Sequence, residues 1–276
     1  MIIFGSIGIV VTFINMSSTG IVLMRTIIGS LFLILILLIT RKTINWKNII
    51  KNRYLLIVSG ALLGGSWALL FESYNYTSVS IAILLYYTAP IIVFIISIFL
   101  FKEKLNKNKI LGMLAVIIGM IIINGVSRGE GNDKLGIIFA LGSAVLYSMI
   151  IILNKFLKGL SGLEITISQL IIAGIIMFIY VIIKNDKIFI DLNKNDIILV
   201  VVIGVIHTGI ACYFYFDAIQ KLPGQTIAIL SYIDPLSALI FAAIFLSERM
   251  TIPQMIGALL IIGGNLIGQV ERKVKL

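Results

Sequence analysis

Ten continuous apolar runs divide the chain, near residues 1–16, 18–40, 54–73, 78–101, 109–125, 134–156, 164–184, 196–216, 225–247 and 252–270. A helix needs about 20 such residues to cross the hydrocarbon core of a bilayer. The runs do not alternate polar and apolar residues, as the strands of a membrane barrel would. The expected fold is an all-α polytopic membrane protein with ten transmembrane helices. Composition agrees: 60% of the 276 residues are hydrophobic and 12% charged, with mean hydropathy +1.13. Soluble domains run at about 45–50% apolar and about 25% charged.

The formal charge of +10 would suggest nucleic acid in a soluble protein. Here the basic residues follow the membrane topology instead. With the N-terminus on the cytoplasmic side, fifteen of the 22 Lys and Arg fall in cytoplasmic segments and six outside, while Arg25 lies within a span. Such an excess orients a membrane protein. It predicts a cell-membrane protein with both termini cytoplasmic, residues 271–276 forming a basic tail, and no nucleic-acid partner. Cys212 is the only cysteine and His207 the only histidine. Internal disulfides and paired-histidine sites are therefore excluded, and no metal or cofactor is expected. No G-x-x-x-x-G-K-[ST] loop occurs, so ATP is not expected to drive the protein directly.

A shift of 145 aligns the two halves without a gap over some fifty residues. Phe71 meets Phe216, Glu72 meets Asp217, Tyr87 meets Tyr232 and Pro90 meets Pro235. Glu103 meets Glu248, Gly112 meets Gly257 and Gly119 meets Gly264. Each half, 1–125 and 134–270, holds five spans, so the halves are expected to enter the membrane in opposite directions. Inverted repeats of this kind build secondary transporters, with the solute site at matched interruptions of the helices. Pro90 and Pro235 supply those interruptions. Each lacks an N–H and clashes with the preceding turn, so each is expected to kink its helix.

The stretches "LMRTIIGSLFL" at 23–33, "APIIVFIISIFLFKEKL" at 89–105 and "YFDAIQKLPGQTIAILSYIDPLSALIFAAIFLSERMT" at 215–251 resemble the drug/metabolite transporter superfamily, in its EamA-like branch of ten-span carriers. The resemblance covers nearly the whole chain. It implies a carrier for a small organic solute and, for Arg25, a structural role holding helix ends. Asp234 stands where the family most often has Glu.

Asp234 is the foremost candidate site residue. A charge near mid-bilayer is costly and faces the bundle interior or a wet cavity. Its counterpart 145 residues earlier is Ala89, so only one copy of the proline stretch carries an acid. Ser231 lies one turn before it. Asp234 is expected to hold a cationic group of the solute or to carry a proton. Trp67, Tyr86, Tyr87, Tyr213 and Tyr232 offer flat apolar surface with polar tips for a pocket. Glu72, without a cation within four residues, is a candidate for an outer gate, and His207 for ligand contact or pH sensing. Asp217 reads as a local ion pair with Lys221, and Glu103 and Glu248 as solvated interfacial charges. Gly264 and Gly268 form a small-residue helix-packing motif.

The reading is a secondary transporter, an exporter of an amino-acid or drug-like metabolite by alternating access, with the lipid bilayer and a small-molecule substrate as partners and room for a homodimer. The rivals are a non-transporting sensor or assembly subunit and, further off, an intramembrane enzyme using Asp217 and Asp234.

Overall fold

The computed structural model describes residues 1–41, 43–77, 79–124, 133–186, 188, 193–245 and 251–270. Glu248, Arg249, Lys42, Arg128, Lys187 and the tail 271–276 lie outside the described residues. All regular elements among the described residues are helices. Eight of them are long and apolar enough to cross a membrane by length and composition. Their outer faces keep the apolar character: Leu38 is 67% and Ile183 is 76% exposed. Aliphatic surface of this kind on every side suits lipid rather than water.

The first apolar run forms two short helices, α1 (Ile2–Gly5) and α2 (Ile7–Thr12), rather than one span over 1–16. They part at Ser6, whose hydroxyl donates to the Ile3 carbonyl at 2.9 Å. Then come α3 (Ser18–Ile39), the short α4 (Trp46–Lys51), and α5 (Arg53–Ser73). Next are α6 (Val79–Tyr86), α7 (Ala89–Leu100), α8 (Lys107–Asn124), α9 (Asp133–Asn154) and α10 (Gly162–Lys184). The last group is α11 (Lys194–Val202), α12 (Ala211–Lys221), α13 (Gly224–Ser231), α14 (Ile233–Phe245) and α15 (Ile252–Gln269). A π-helix, Ile203–Ile210, joins α11 to α12. Starts are capped where the sequence supplies short polar residues: Ser161 with Glu164 and Thr251 with Gln254 form capping boxes.

Glycine seams set the closest helix contacts. Added Cβ atoms show how close they are. One on Gly112 would meet the Gly264 carbonyl at 2.6 Å, and one on Gly264 would meet the Gly112 carbonyl at 2.7 Å. Gly119 and Gly257 mirror this, at 2.6 and 2.7 Å from each other's carbonyls. Helices α8 and α15 thus touch backbone to backbone. A second seam seats Ile172 and Ile176 of α10 on Gly60 and Gly64 of α5. A third seats Ile28 and Phe32 of α3 on Gly204 and Gly209 of the π-helix.

The second and third seams match each other and explain the π-helix. Ile28 to Ile172 and Phe32 to Ile176 are steps of 144. Gly60 to Gly204 is also 144, but Gly64 to Gly209 is 145. One residue more separates the glycines of the third seam, and the π-helix absorbs it without disturbing the contacts on either side. His207 and Thr208 sit in that inserted stretch.

Candidate functional site

Both proline stretches break their helices. The chain turns at Tyr87–Thr88 before α7, and at Tyr232 before α14. Pro90 and Pro235 fall within the first three residues of the new helices, where a missing N–H costs no ladder bond. The two breaks meet. The Tyr87 and Tyr232 rings lie 6.4 Å apart, and the Tyr232 hydroxyl donates to the Tyr87 carbonyl at 3.0 Å.

Asp234 stands in the first turn of α14 beside this junction, with the Tyr87 hydroxyl against its carboxylate. Tyr86 lies on Tyr87 at 6.0 Å and on Tyr147 of α9 at 5.3 Å. Tyr147 and Ser231 flank Tyr215, whose buried hydroxyl makes no well-aligned hydrogen bond. Ser231 donates to the Ile227 carbonyl at 2.8 Å. The Arg25 guanidinium stacks over Trp67 at 4.3 Å, and its buried Nε has no hydrogen-bond partner. Arg25, Tyr86, Tyr87, Tyr147 and Asp234 are enclosed by the bundle, yet each keeps accessible surface. On α1, Gly5 fits against the backbone of Asp234 and Ala238; a Cβ there would reach the Asp234 carbonyl at 2.6 Å.

Of the residues singled out in the sequence, the fold gathers Asp234, Ser231, Tyr232, Tyr86, Tyr87, Trp67 and Arg25. It leaves others elsewhere. Glu72 receives hydrogen bonds from Lys184 and Tyr180, both at 2.7 Å, so a cation from α10 supplies the partner its own helix lacks. His207 is buried, with Nε2 at 2.8 Å from the Ser6 hydroxyl. Asp217 pairs with Lys221 at 2.5 Å near the end of α12 and packs on Gly162; it is not among the groups at Asp234. Tyr147 and Tyr215 are members of the cluster that sequence reasoning did not single out. The signal for Tyr147 was an aromatic hydroxyl inside an otherwise aliphatic run; Tyr215 stands among other aromatics, in "CYFYFD", and nothing there set it apart. An apolar cavity of about 180 Å³ lies alongside, walled by α1, α12 and α13, and Tyr215 is shared between it and the cluster.

Glu103, read from the sequence as a solvated interfacial charge, instead accepts from the Gly224 and Gln225 amides at 2.6 and 3.0 Å. A carboxylate at a helix N-terminus satisfies free N–H groups and opposes the helix dipole. Lys155 donates to the Leu222 carbonyl at 2.5 Å beside it. Burial lowers the Lys155 pKa, and the nearby Glu103 carboxylate opposes the shift. Gly224 is buried on Ser97, which is itself fully buried; a Cβ added at Gly224 would meet the Ser97 Cβ at 2.8 Å. The counterpart positions differ: Val79 is 51% exposed and Ala242 keeps accessible surface.

Comparison with known proteins places this geometry in a family. The model of the EamA-like transporter family matches twice, over residues 1–125 and 134–267. The "Uncharacterized transporter YxxF" of Bacillus subtilis is 31% identical over 280 residues, spanning 100% of this chain and 88% of the relative. An "Uncharacterized transporter" of Haemophilus influenzae is 27% identical, spanning 90% and 86%. A solved crystal structure of a protein shares the fold, with a TM-score of 0.87 at 16% identity, over 97% of this chain and 93% of the other. With two family matches covering both halves, and apolar helices throughout, the chain is a multi-pass membrane protein and belongs to the EamA-like transporter family.

Proposed function

We propose that the protein is a ten-span carrier of two inverted five-helix repeats, 1–125 and 134–270. It moves a small organic solute, amino-acid or drug-like, across the cell membrane by alternating access and works as an exporter, with both termini cytoplasmic. The inverted repeat is supported by the α8–α15 seam. Gly112 meets Gly264 and Gly119 meets Gly257, while 112 and 257, and 119 and 264, are the pairs 145 apart. A contact set unchanged when the halves are exchanged is what a two-fold relation produces. Tyr87 touching Tyr232, its own counterpart, fits a position on the axis. Alternating access is supported by the unequal ends: Gly224 sealed on Ser97 by Glu103, Val79 and Ala242 open.

The observation that carries the reading is the acid at the matched break, ringed by tyrosines, where the other half has alanine. Asp234 binds a cationic group of the solute or carries the coupled proton. Flux in proteoliposomes with Asp234→Asn tests this. A large loss of rate, or loss of its pH dependence, is expected; unchanged rate and unchanged pH profile would overturn the role.

A further inference from the structure

One end of the bundle carries cations that no carboxylate answers. The short helix α4 lies there, just before α5. Its backbone runs on into α5: the Asn52 amide donates to the Asn48 carbonyl and the Leu56 amide to the Asn52 carbonyl, both at 3.0 Å. Helical spacing therefore holds across the junction and sorts the side chains into stripes. Trp46, Ile50, Tyr54 and Ile57 form an exposed apolar stripe, with Trp46 at 63% and Tyr54 at 69%, which runs onto the outer face of α5. Lys47 and Lys51, both exposed, come next around the helix. Asn48 and Asn52 come third and dock on the turn between α9 and α10. Their amides donate to the Gly159 carbonyl at 2.8 Å and the Lys158 carbonyl at 3.2 Å. That turn adds the exposed Lys158. Flanking the apolar stripe, the Arg53 guanidinium stacks over the Tyr54 ring at 4.5 Å. It donates to the Ile50 carbonyl and the Tyr54 hydroxyl at 3.0 and 3.2 Å. Arg53 is thus held in place with donors to spare.

The described carboxylates at this end are already taken. Glu164 accepts from the Asn45 and Ser161 amides at 2.7 and 2.8 Å. Asp217 pairs with Lys221, and Glu103 accepts from the Gly224 and Gln225 amides. Among the described residues, Lys47, Lys51, Arg53 and Lys158 make no ion pair. Cations flanking lipid-facing aromatic and aliphatic surface sit at headgroup depth. A soluble polyanion would satisfy the charges and leave the apolar stripe unmatched, whereas an anionic lipid matches both. We propose that α4, the start of α5 and the turn at 158–159 form a binding surface for anionic phospholipid. Its headgroups lie on Lys47, Lys51, Arg53 and Lys158, and its acyl chains along Trp46, Ile50 and Ile57. The first half supplies α4 and α5, and the second supplies Lys158. The inference uses the membrane class of the fold and not the carrier reading, so either can fail alone.

The test places purified full-length protein in bilayers of phosphatidylcholine and phosphatidylglycerol. One lipid at a time carries brominated acyl chains, which quench a tryptophan they touch. Trp46 is the reporter, because Trp67, the other tryptophan, is buried. Phosphatidylglycerol is expected to be preferred at Trp46 by about ten-fold or more at low salt, and by less as salt rises. Arg53→Gln and Lys158→Gln should each lower that preference about five-fold. Arg53→Lys, which keeps the charge, should retain more of it, and Lys158→Gln, at an exposed turn, serves if Arg53→Gln does not fold. Lys104→Gln with Lys107→Gln removes two exposed cations from another loop and should leave the preference unchanged. Equal quenching by the two lipids overturns the proposal. So does an equal loss in the Lys104 and Lys107 variant, which would mean diffuse attraction to a basic protein. Displacement of phosphatidylglycerol by a short RNA at matched charge would also overturn it, in favour of a soluble polyanion.

Discussion

Two charges in the bundle interior stand where the other half carries neutral residues. Asp234 replaces an alanine, and Arg25 replaces a glutamine whose partners have become aliphatic. Gln169 shows the alternative. With Ser59 and Asn154 it forms a closed polar network, all three fully buried. Gln169→Leu should therefore destabilise the protein by about 1–3 kcal/mol for each polar group left unpaired, without changing solute selectivity. Thermal unfolding beside a flux competition assay checks both halves of that statement. Asp234 and Tyr87 were visible from the sequence because an acid and a proline stood in an apolar run. Arg25 looked structural, since nothing in one dimension shows that a guanidinium lacks a carboxylate.

Among the elements, helix ends and glycine faces decide the arrangement. Glu103 holds the start of α13 by two backbone amides. Glu103→Gln keeps the shape but weakens the acceptor, so a loss of about 0.5–2 kcal/mol of cap stability is expected. If the capped end is the closed gate, solute access from that side should rise; labelling of a cysteine placed at Gln225 measures it, and unchanged labelling counts against a gate. At the α8–α15 seam, Gly112→Val puts a side chain 2.6 Å from a backbone carbonyl that cannot move aside. A cost of about 1–3 kcal/mol or more is expected from such overpacking, read as a fall in melting temperature in detergent. Helix positions were legible from the apolar runs. The break of the first run at Ser6 was not, because it depends on the Ser6 hydroxyl, which bonds to the Ile3 carbonyl and lies within reach of the distant His207.

Over the whole molecule, the π-helix is the place where two similar halves are kept in step despite one additional residue. Deleting Thr208 would let 203–210 close as an ordinary α-helix with its two seam glycines four residues apart, as Gly60 and Gly64 are. The contacts on either side should then keep their register and flux should persist; a sharp fall in flux would mean that the wide turn itself carries functional weight. The proposed orientation is checked by cysteine accessibility. Cysteines at Lys158 and Lys194 should react from opposite sides of the membrane, while the buried Cys212 stays silent. The sequence by itself determined the helical membrane class, the matched halves, the paired proline breaks and the lone acid, because burial in lipid imposes length and polarity on each segment separately. Only the tertiary structure decided that Tyr147, Tyr215 and Arg25 join Asp234, that Glu72 is answered by Lys184, and that Glu103 caps a helix 121 residues away. Those outcomes depend on which faces of distant helices meet, and single-residue register carries that information.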